Sequence, residues 1–298
     1  DQDPRAVVHS TPMHRVRAHR CRTCSVEFYS RNRLFEHLRE EGHHDQERRY
    51  MAPAVTQPPR ARVYEHTAYV LPTIEDPTPA PEIERVELSE DGRAFVLRNV
   101  LSPAECKGYI EAAAALGMQS VQVNGYERRV RVCSRVAAAS EVLAGRLFDR
   151  IAPFLSPIDL TDPCLSSRPA GIPADRRRTF WRPHGLNELF RICKYDPGGH
   201  FAPHLDGGHV RSGTDCSMQT VMLYLNEEYE GGHTRFFDDS QAAYREPDPA
   251  KVVCTYVPRR GDALIFHSEL MHDGEALRRG QKWILRSEVM YKVRDVQK

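Results

Sequence analysis

Two sets of side chains in this sequence have the types and spacing that chemistry needs. In the first, His204-Leu205-Asp206 places an imidazole and a carboxylate two residues apart. On a strand, alternate side chains project to one face, so both groups can take adjacent positions on one metal. A further histidine from a facing strand would complete a set of two His and one carboxylate. Such a set leaves three positions open and suits non-haem iron(II), which must take a co-substrate and O2. His267 and His272, at and just beyond the end of the apolar run Ala263–His267, compete for the third place. Zinc also accepts two His and one carboxylate, so a metal-dependent hydrolase is the rival reading of these residues alone. His200, His209 and His233 read as loop or surface histidines.

The second set is Cys21-x2-Cys24-x12-His37-x5-His43, the ligand number and spacing of a structural Zn(2+) site. Phe28 and Leu34 would form its small core. A helix over about 31–41 would carry His37, and Gly42 would end that helix and bring His43 round to the metal. His44 would lengthen the spacing, so His43 is preferred. This set resembles the two-Cys, two-His zinc fingers. The histidine spacing resembles the subset associated with double-stranded RNA or protein partners. Arg15, Arg17, Arg20 and Arg22 lend a local basic face to RNA or DNA contact. A purely structural module, or a non-enzymatic reader on a β scaffold, is the competing expectation.

The elements that must position these groups divide the chain into three stretches. Residues 14–50 hold the finger. Residues 51–83 carry seven prolines from Pro53 to Pro81 and read as an extended linker. Residues 84–298 have the texture of one catalytic domain. Within it, Ser102-Pro103-Ala104-Glu105 reads as an N-cap and first turn, leading a helix through Cys106–Leu116 that stops at Gly117. A second helix is expected over Glu141–Phe154. Residues 153–183, with several prolines and Arg176, Arg177 and Arg178, read as a long loop able to serve as a lid. Short apolar runs follow at Leu189–Tyr195, Gln219–Leu225, His233–Phe237, Val252–Val257, Ala263–His267 and Trp283–Tyr291, parted by Gly, Pro, Asn and Asp. That spacing predicts a mainly β domain with flanking helices, a barrel or double-sheet jelly roll, beside a small ββα finger.

Taken in order, His204-x-Asp206, His272 and Lys282, which follows His272 by ten residues, resemble the prolyl 4-hydroxylase branch of the Fe(II)/2-oxoglutarate dioxygenases. The likeness extends to Tyr195, Thr220-Val-Met-Leu-Tyr224, Gly231-Gly232-His233-Thr234 and Gly261-Asp262-Ala263, and spans about 95–292. It implies a double-stranded β-helix, Fe(2+) on His204, Asp206 and His272, and the distal carboxylate of 2-oxoglutarate on Lys282 and Tyr195. Thr220 and Tyr224 are expected to line the co-substrate pocket. Arg286, on the same strand face as Lys282, competes as the carboxylate partner because a guanidinium can clamp a carboxylate in two-point fashion. The resemblance further implies O2 as co-substrate, ascorbate as a rescuer of oxidised iron, and hydroxylation of an aliphatic carbon with release of succinate and CO2. A protein or peptide side chain such as proline is the expected substrate, and a nucleic acid guided in by the finger is the alternative.

Composition narrows the rest. Lys plus Arg number 42 against 41 Asp plus Glu, a net charge of +1, so no global field draws the chain to nucleic acid or an anionic membrane. No apolar run approaches the ~18 residues of a membrane span. Eight cysteines in 298 residues do not make a disulfide scaffold. Reduced thiols fit cytoplasm or nucleus.

Overall fold

Two environments meet along the C-terminal strand. Trp283, Leu285, Val289 and Tyr291 pack into an apolar core under two helices, whereas Lys282, Ile284 and Arg286 between them line a polar cavity. Period-two alternation makes this possible: one strand can serve a dry side and a chemical side. The computed structural model describes residues 19–20, 27–28, 69–74, 82–160 and 180–293.

Its strands and helices run in the following order. A hairpin of β1 (His19–Arg20) and β2 (Glu27–Phe28) is followed by β3 (Glu84–Glu87), β4 (Ala94–Arg98), α1 (Pro103–Leu116), β5 (Gln119–Ser120), β6 (Arg131–Val132) and β7 (Ser134–Ala139). Next come α2 (Glu141–Ile151), β8 (Ile158–Asp159), β9 (Phe180–Leu186), β10 (Leu189–Tyr195), β11 (His200–His204) and β12 (Val210–Ser212). The longest central strand, β13 (Asp215–Tyr224), precedes β14 (Tyr229–Gly231), β15 (Thr234–Phe237), β16 (Val252–Tyr256), β17 (Ala263–His267), β18 (His272–Gly274), β19 (Leu277–Gly280) and β20 (Lys282–Val293).

A large sheet runs β3-β4-β17-β13-β20-β10-β7-β5, with β12 pairing β13 and β9 pairing both β20 and β8 off that path, and a smaller one runs β16-β15-β18-β11-β6. Neighbours far apart in sequence, such as β13 beside β20 and β11 beside β18, are the crossovers of a double-sheet roll rather than a meander. The sheets face each other through a second core in which Met222, Tyr224, Phe266 and Ile284 of the large sheet share a cluster with Phe236 of the small one. The Phe236 and Phe266 rings meet edge-on at 5.3 Å.

Both helices cover the dry side. Ser102 caps α1 with a full capping box through Glu105, Pro103 opens the helix and Gly117 ends it. The Glu105 carboxylate also takes both terminal nitrogens of Arg150 at 2.8 and 2.9 Å, tying α1 to α2. Tyr109 and Ala113 from α1, with Leu143, Leu147 and Ile151 from α2, bury against the sheet.

Some expectations shift. The second helix ends at Ile151 and continues as a 3-10 turn, Ala152–Phe154, because Pro153 cannot donate the bond that would extend an α-helix. The stretch read as one long loop contains β8 and β9. Pro183 sits inside β9 opposite Tyr291, next to the point where the register with β20 slips, and such irregularities are where a strand tolerates proline. Arg176, Arg177 and Arg178 lie outside the described residues. Residues 69–74 fall within the proline-rich stretch, yet Leu71 is buried and its N–H donates to Ala139 O, while Ala139 N–H donates to Tyr69 O. The ligands Cys21, Cys24, His37 and His43 lie outside the described residues. What is described there is the antiparallel pair β1–β2, with His19 opposite Phe28. Among the described residues no helix is long and apolar enough to cross a membrane.

Candidate active site

His204 and His272 are direct cross-strand partners in the small sheet, at the ends of β11 and β18. Asp206 lies two residues beyond the end of β11, where its N–H donates to Ser268 O at 2.9 Å. The three side chains converge so that one ligand atom from each lies within 4.8 Å of the others. Each imidazole uses Nδ1 on a carbonyl two residues before it, Ala202 O at 2.9 Å for His204 and Leu270 O at 2.8 Å for His272. That bond fixes the tautomer and aims both Nε2 lone pairs at the Asp206 carboxylate, from which each stands 3.6 Å away. Burial, then His204, pushes His272 down to about 3, so it is a neutral donor at ordinary pH. Burial alone would raise Asp206, but Arg286, His272 and His204 outweigh it and hold the carboxyl well below its usual range. Two oriented imidazoles and one ionised carboxylate, drawn together at one point, are a donor set that fits a divalent cation with open positions. His267 is not in this cluster. It is buried in β17, its Nδ1 has no hydrogen-bond partner, and burial followed by Arg93 lowers it to about 4.

The three donors border a cavity of about 460 Å³ whose lining includes Tyr195, Thr234, Lys282 and Arg286. Lys282 faces Tyr195 across the β10–β20 ladder. Its ammonium donates to Gly232 O at 2.5 Å and lies 5.8 and 5.3 Å from the Tyr195 and Tyr224 rings. Burial lowers Lys282 to about 8, against the pull of Asp273 and Glu275. Among the described residues it has no carboxylate at ion-pair distance. Gly232 explains the approach: its φ is +66°, and a Cβ there would stand 2.9 Å from Leu277 Cδ1 and 3.3 Å from Lys282 Cδ.

Arg286 is placed differently. Its guanidinium bonds Asp206 Oδ1 and Glu288 Oε1, both at 3.0 Å. Thr220 donates its hydroxyl to Asp206 Oδ2 at 2.6 Å, so this side chain steadies the carboxylate of the triad. Tyr224 shares a 2.8 Å hydroxyl bond with Thr234, and Thr234 is the one that lines the cavity. Reading the sequence left three other neighbours unassigned: Arg131, Arg191 and Glu288. Arg131 stacks 4.3 Å over Phe201, whose ring in turn stacks on His204 at 3.5 Å. Arg191 holds Glu288 at 2.7 Å. Thr234 was legible in Gly231-Gly232-His233-Thr234, whereas Arg131 sits on a two-residue strand with no pattern to reveal it.

Comparison with known proteins bears on this geometry. Residues 190–287 match the model of the 2OG-Fe(II) oxygenase superfamily. The chain carries a 2OG-Fe(II) oxygenase domain. Two Arabidopsis thaliana relatives, "Probable prolyl 4-hydroxylase 3" and "Probable prolyl 4-hydroxylase 8", are 29% and 26% identical over 215 residues, covering 66% of this chain and 68% of each relative. A solved viral collagen prolyl hydroxylase of Paramecium Bursaria Chlorella virus-1 covers 67% of this chain and 97% of its own at 20% identity, with a TM-score of 0.40. As an enzyme, the oxygenase is a 2-oxoglutarate-dependent dioxygenase, and its family implies Fe(2+), 2-oxoglutarate and O2. The matched span runs from Phe190 to Ser287 and takes in all three candidate iron ligands together with Lys282 and Arg286.

Proposed function

We propose that the oxygenase hydroxylates a prolyl side chain of a protein, converting 2-oxoglutarate and O2 to succinate and CO2. The observation that carries this reading is one cavity joining an oriented His-Asp-His set to a buried ammonium without a carboxylate partner. His204, Asp206 and His272 would hold Fe(2+). Lys282 supplies the charge for the distal carboxylate of the co-substrate, and Tyr195 and Thr234 offer hydroxyls beside it. Arg286 and Thr220 hold the Asp206 carboxylate in place. When bound, iron would supply the oxidising chemistry with O2 and 2-oxoglutarate, and ascorbate would return it to the ferrous state. The aromatic rings of Tyr126, Phe201 and Tyr244 border the cavity, a surface that suits a pyrrolidine ring and excludes water around it. The naming of both plant relatives supports proline as the target. The test is incubation with Fe(2+), 2-oxoglutarate, O2 and a proline-rich peptide. Succinate should form together with a one-oxygen mass gain on proline. Oxidation of an oligonucleotide in place of the peptide would move the substrate class to nucleic acid.

We propose further that residues 14–50 fold as a zinc finger through Cys21, Cys24, His37 and His43, joined to the catalytic domain by the proline-rich stretch. Ligand spacing supports it, as does the antiparallel pair β1–β2, which brackets the two cysteines in sequence. Deleting residues 1–50 should remove bound zinc and leave 2-oxoglutarate turnover. Zinc retained by the shortened chain would reject the assignment.

A further inference from the structure

Cys133 and Cys193 meet in one buried cluster, although 60 positions of sequence separate them. Cys133 links β6 to β7, and Cys193 lies on β10 opposite Arg135. Both are buried, and Cys193 lines the catalytic cavity. The two thiols lie within hydrogen-bonding reach of each other. On its other side Cys193 Sγ accepts from Arg131 Nη2 at 3.1 Å.

Arg131 makes this contact unusual. Its guanidinium is buried, and among the described residues it has no carboxylate partner. It bonds Cys193 Sγ and the Tyr195 hydroxyl (3.4 Å), lies over Phe201, and leaves Nε without a hydrogen-bond partner. A buried cation needs a countercharge, and the Cys193 sulfur is the group at hand that can carry one. The hydrogen bond with Cys133, working against burial and joined by Arg131, lowers Cys193 to about 5. The same bond and burial push Cys133 upward. Elsewhere burial leads: with Glu105 it raises Cys106 to about 12, with Asp215 it raises Cys216 to about 12, and alone it raises Cys254 to about 11.

We propose that Cys133 and Cys193 form a redox-active pair in the wall of the catalytic cavity, with Cys193 the attacking thiolate, Cys133 the resolving thiol and a hydroperoxide the oxidant. The Cys193 sulfur attacks one peroxide oxygen. The S–O bond forms, the O–O bond breaks, and the leaving oxygen departs as water after taking a proton. Cys133 then attacks the sulfenic sulfur. An S–S bond forms, the S–O bond breaks, and the second water leaves with the Cys133 proton. Two electrons pass from the two sulfurs to the peroxide.

The test uses the full chain loaded with Mn(II), which spares the protein iron–peroxide chemistry. It is treated with hydrogen peroxide, quenched by alkylation and digested without reduction. A Cys133–Cys193 linked peptide should appear ahead of any product at Cys106 or Cys216, and saturating 2-oxoglutarate should slow its formation by filling the cavity. In Cys133→Ser the linked peptide cannot form, and Cys193 should pass to the sulfinic acid, which dithiothreitol does not reverse. Should that variant fail to fold, alkylation of the wild-type chain with iodoacetamide at about pH 6 still decides, because a thiolate of low pKa reacts first. Preferential labelling of Cys193 supports the pair. Equal labelling of Cys193 and Cys106, absence of the linked peptide, or oxidation indifferent to 2-oxoglutarate overturns it.

Discussion

Lys282 and Arg286 stand four residues apart on one face of β20, one buried and one half-buried cation beside the same cavity, and their surroundings differ in one decisive respect. Arg286 is already spent: Asp206 and Glu288 each bind it at 3.0 Å, and although burial would lower its affinity for the proton, these two carboxylates raise it. Among the described residues the Lys282 ammonium has a carbonyl oxygen and two aromatic rings against it and no carboxylate at ion-pair distance, and burial, against the pull of Asp273 and Glu275, lowers it to about 8. One cation is already paired with protein carboxylates, while the other is left to be paired by an anion only on the proposed reading. A guanidinium is the better carboxylate clamp in general, yet here the carboxylates it clamps belong to the protein. Role therefore follows from the partners present and not from residue type.

The comparison can be broken at several points. The largest effect should come from the triad itself. His204→Ala or His272→Ala should abolish 2-oxoglutarate turnover and iron binding, whereas His267→Ala should leave both, as read by succinate formation and metal analysis. Next in size is Lys282→Ala. Stripping one partner from a buried ion pair costs about 3–5 kcal/mol, so 2-oxoglutarate affinity should fall by about two to four orders of magnitude with iron still bound, measured by calorimetry.

A pH series sharpens the same contrast. If Lys282 is the partner, only its ammonium form can pair with the co-substrate carboxylate, and this form is lost as pH rises through about 8. In Mn(II)-loaded protein, 2-oxoglutarate affinity should be level at lower pH and then fall by about tenfold per pH unit. A profile flat to about pH 10, the ordinary lysine range, would mean that burial does not lower Lys282 in the metal-loaded protein. The smallest effect belongs to Thr220→Val, which removes a 2.6 Å bond to Asp206. A hydrogen bond to a charged group contributes about 1.5–3 kcal/mol, and the loss should appear as weaker iron binding with 2-oxoglutarate affinity unchanged at saturating metal.

Much of this site was legible in the sequence because its chemistry sits on regular strands. His204-x-Asp206, Tyr195 and Lys282 fall in segments whose alternation is plain, and α1 announced itself through Ser102, Pro103, Glu105 and Gly117. Where the reading fell short, local pattern was weak or the determinant was long-range. β9 was hidden by Pro183, and β6 is two residues long. Thr220 was expected in the co-substrate pocket, but its hydroxyl is spent on Asp206, a contact between residues on different elements that no periodicity encodes. The choice between Lys282 and Arg286 was equally closed to inspection, since it depends on Glu288 and Asp206 arriving beside Arg286 through tertiary packing. The same holds for Cys133 and Cys193, which read as isolated buried thiols until β7 and β10 are placed side by side.

The central claim is that Lys282 recognises the distal carboxylate of the co-substrate. It is tested most directly by titrating Mn(II)-loaded protein with 2-oxoglutarate and with 2-oxovalerate, which keeps the 2-oxo acid end but lacks that carboxylate. The wild-type chain should strongly prefer 2-oxoglutarate, and in Lys282→Ala the two affinities should become nearly equal. A preference that survives in Lys282→Ala but vanishes in Arg286→Met would contradict the claim and transfer the role to Arg286.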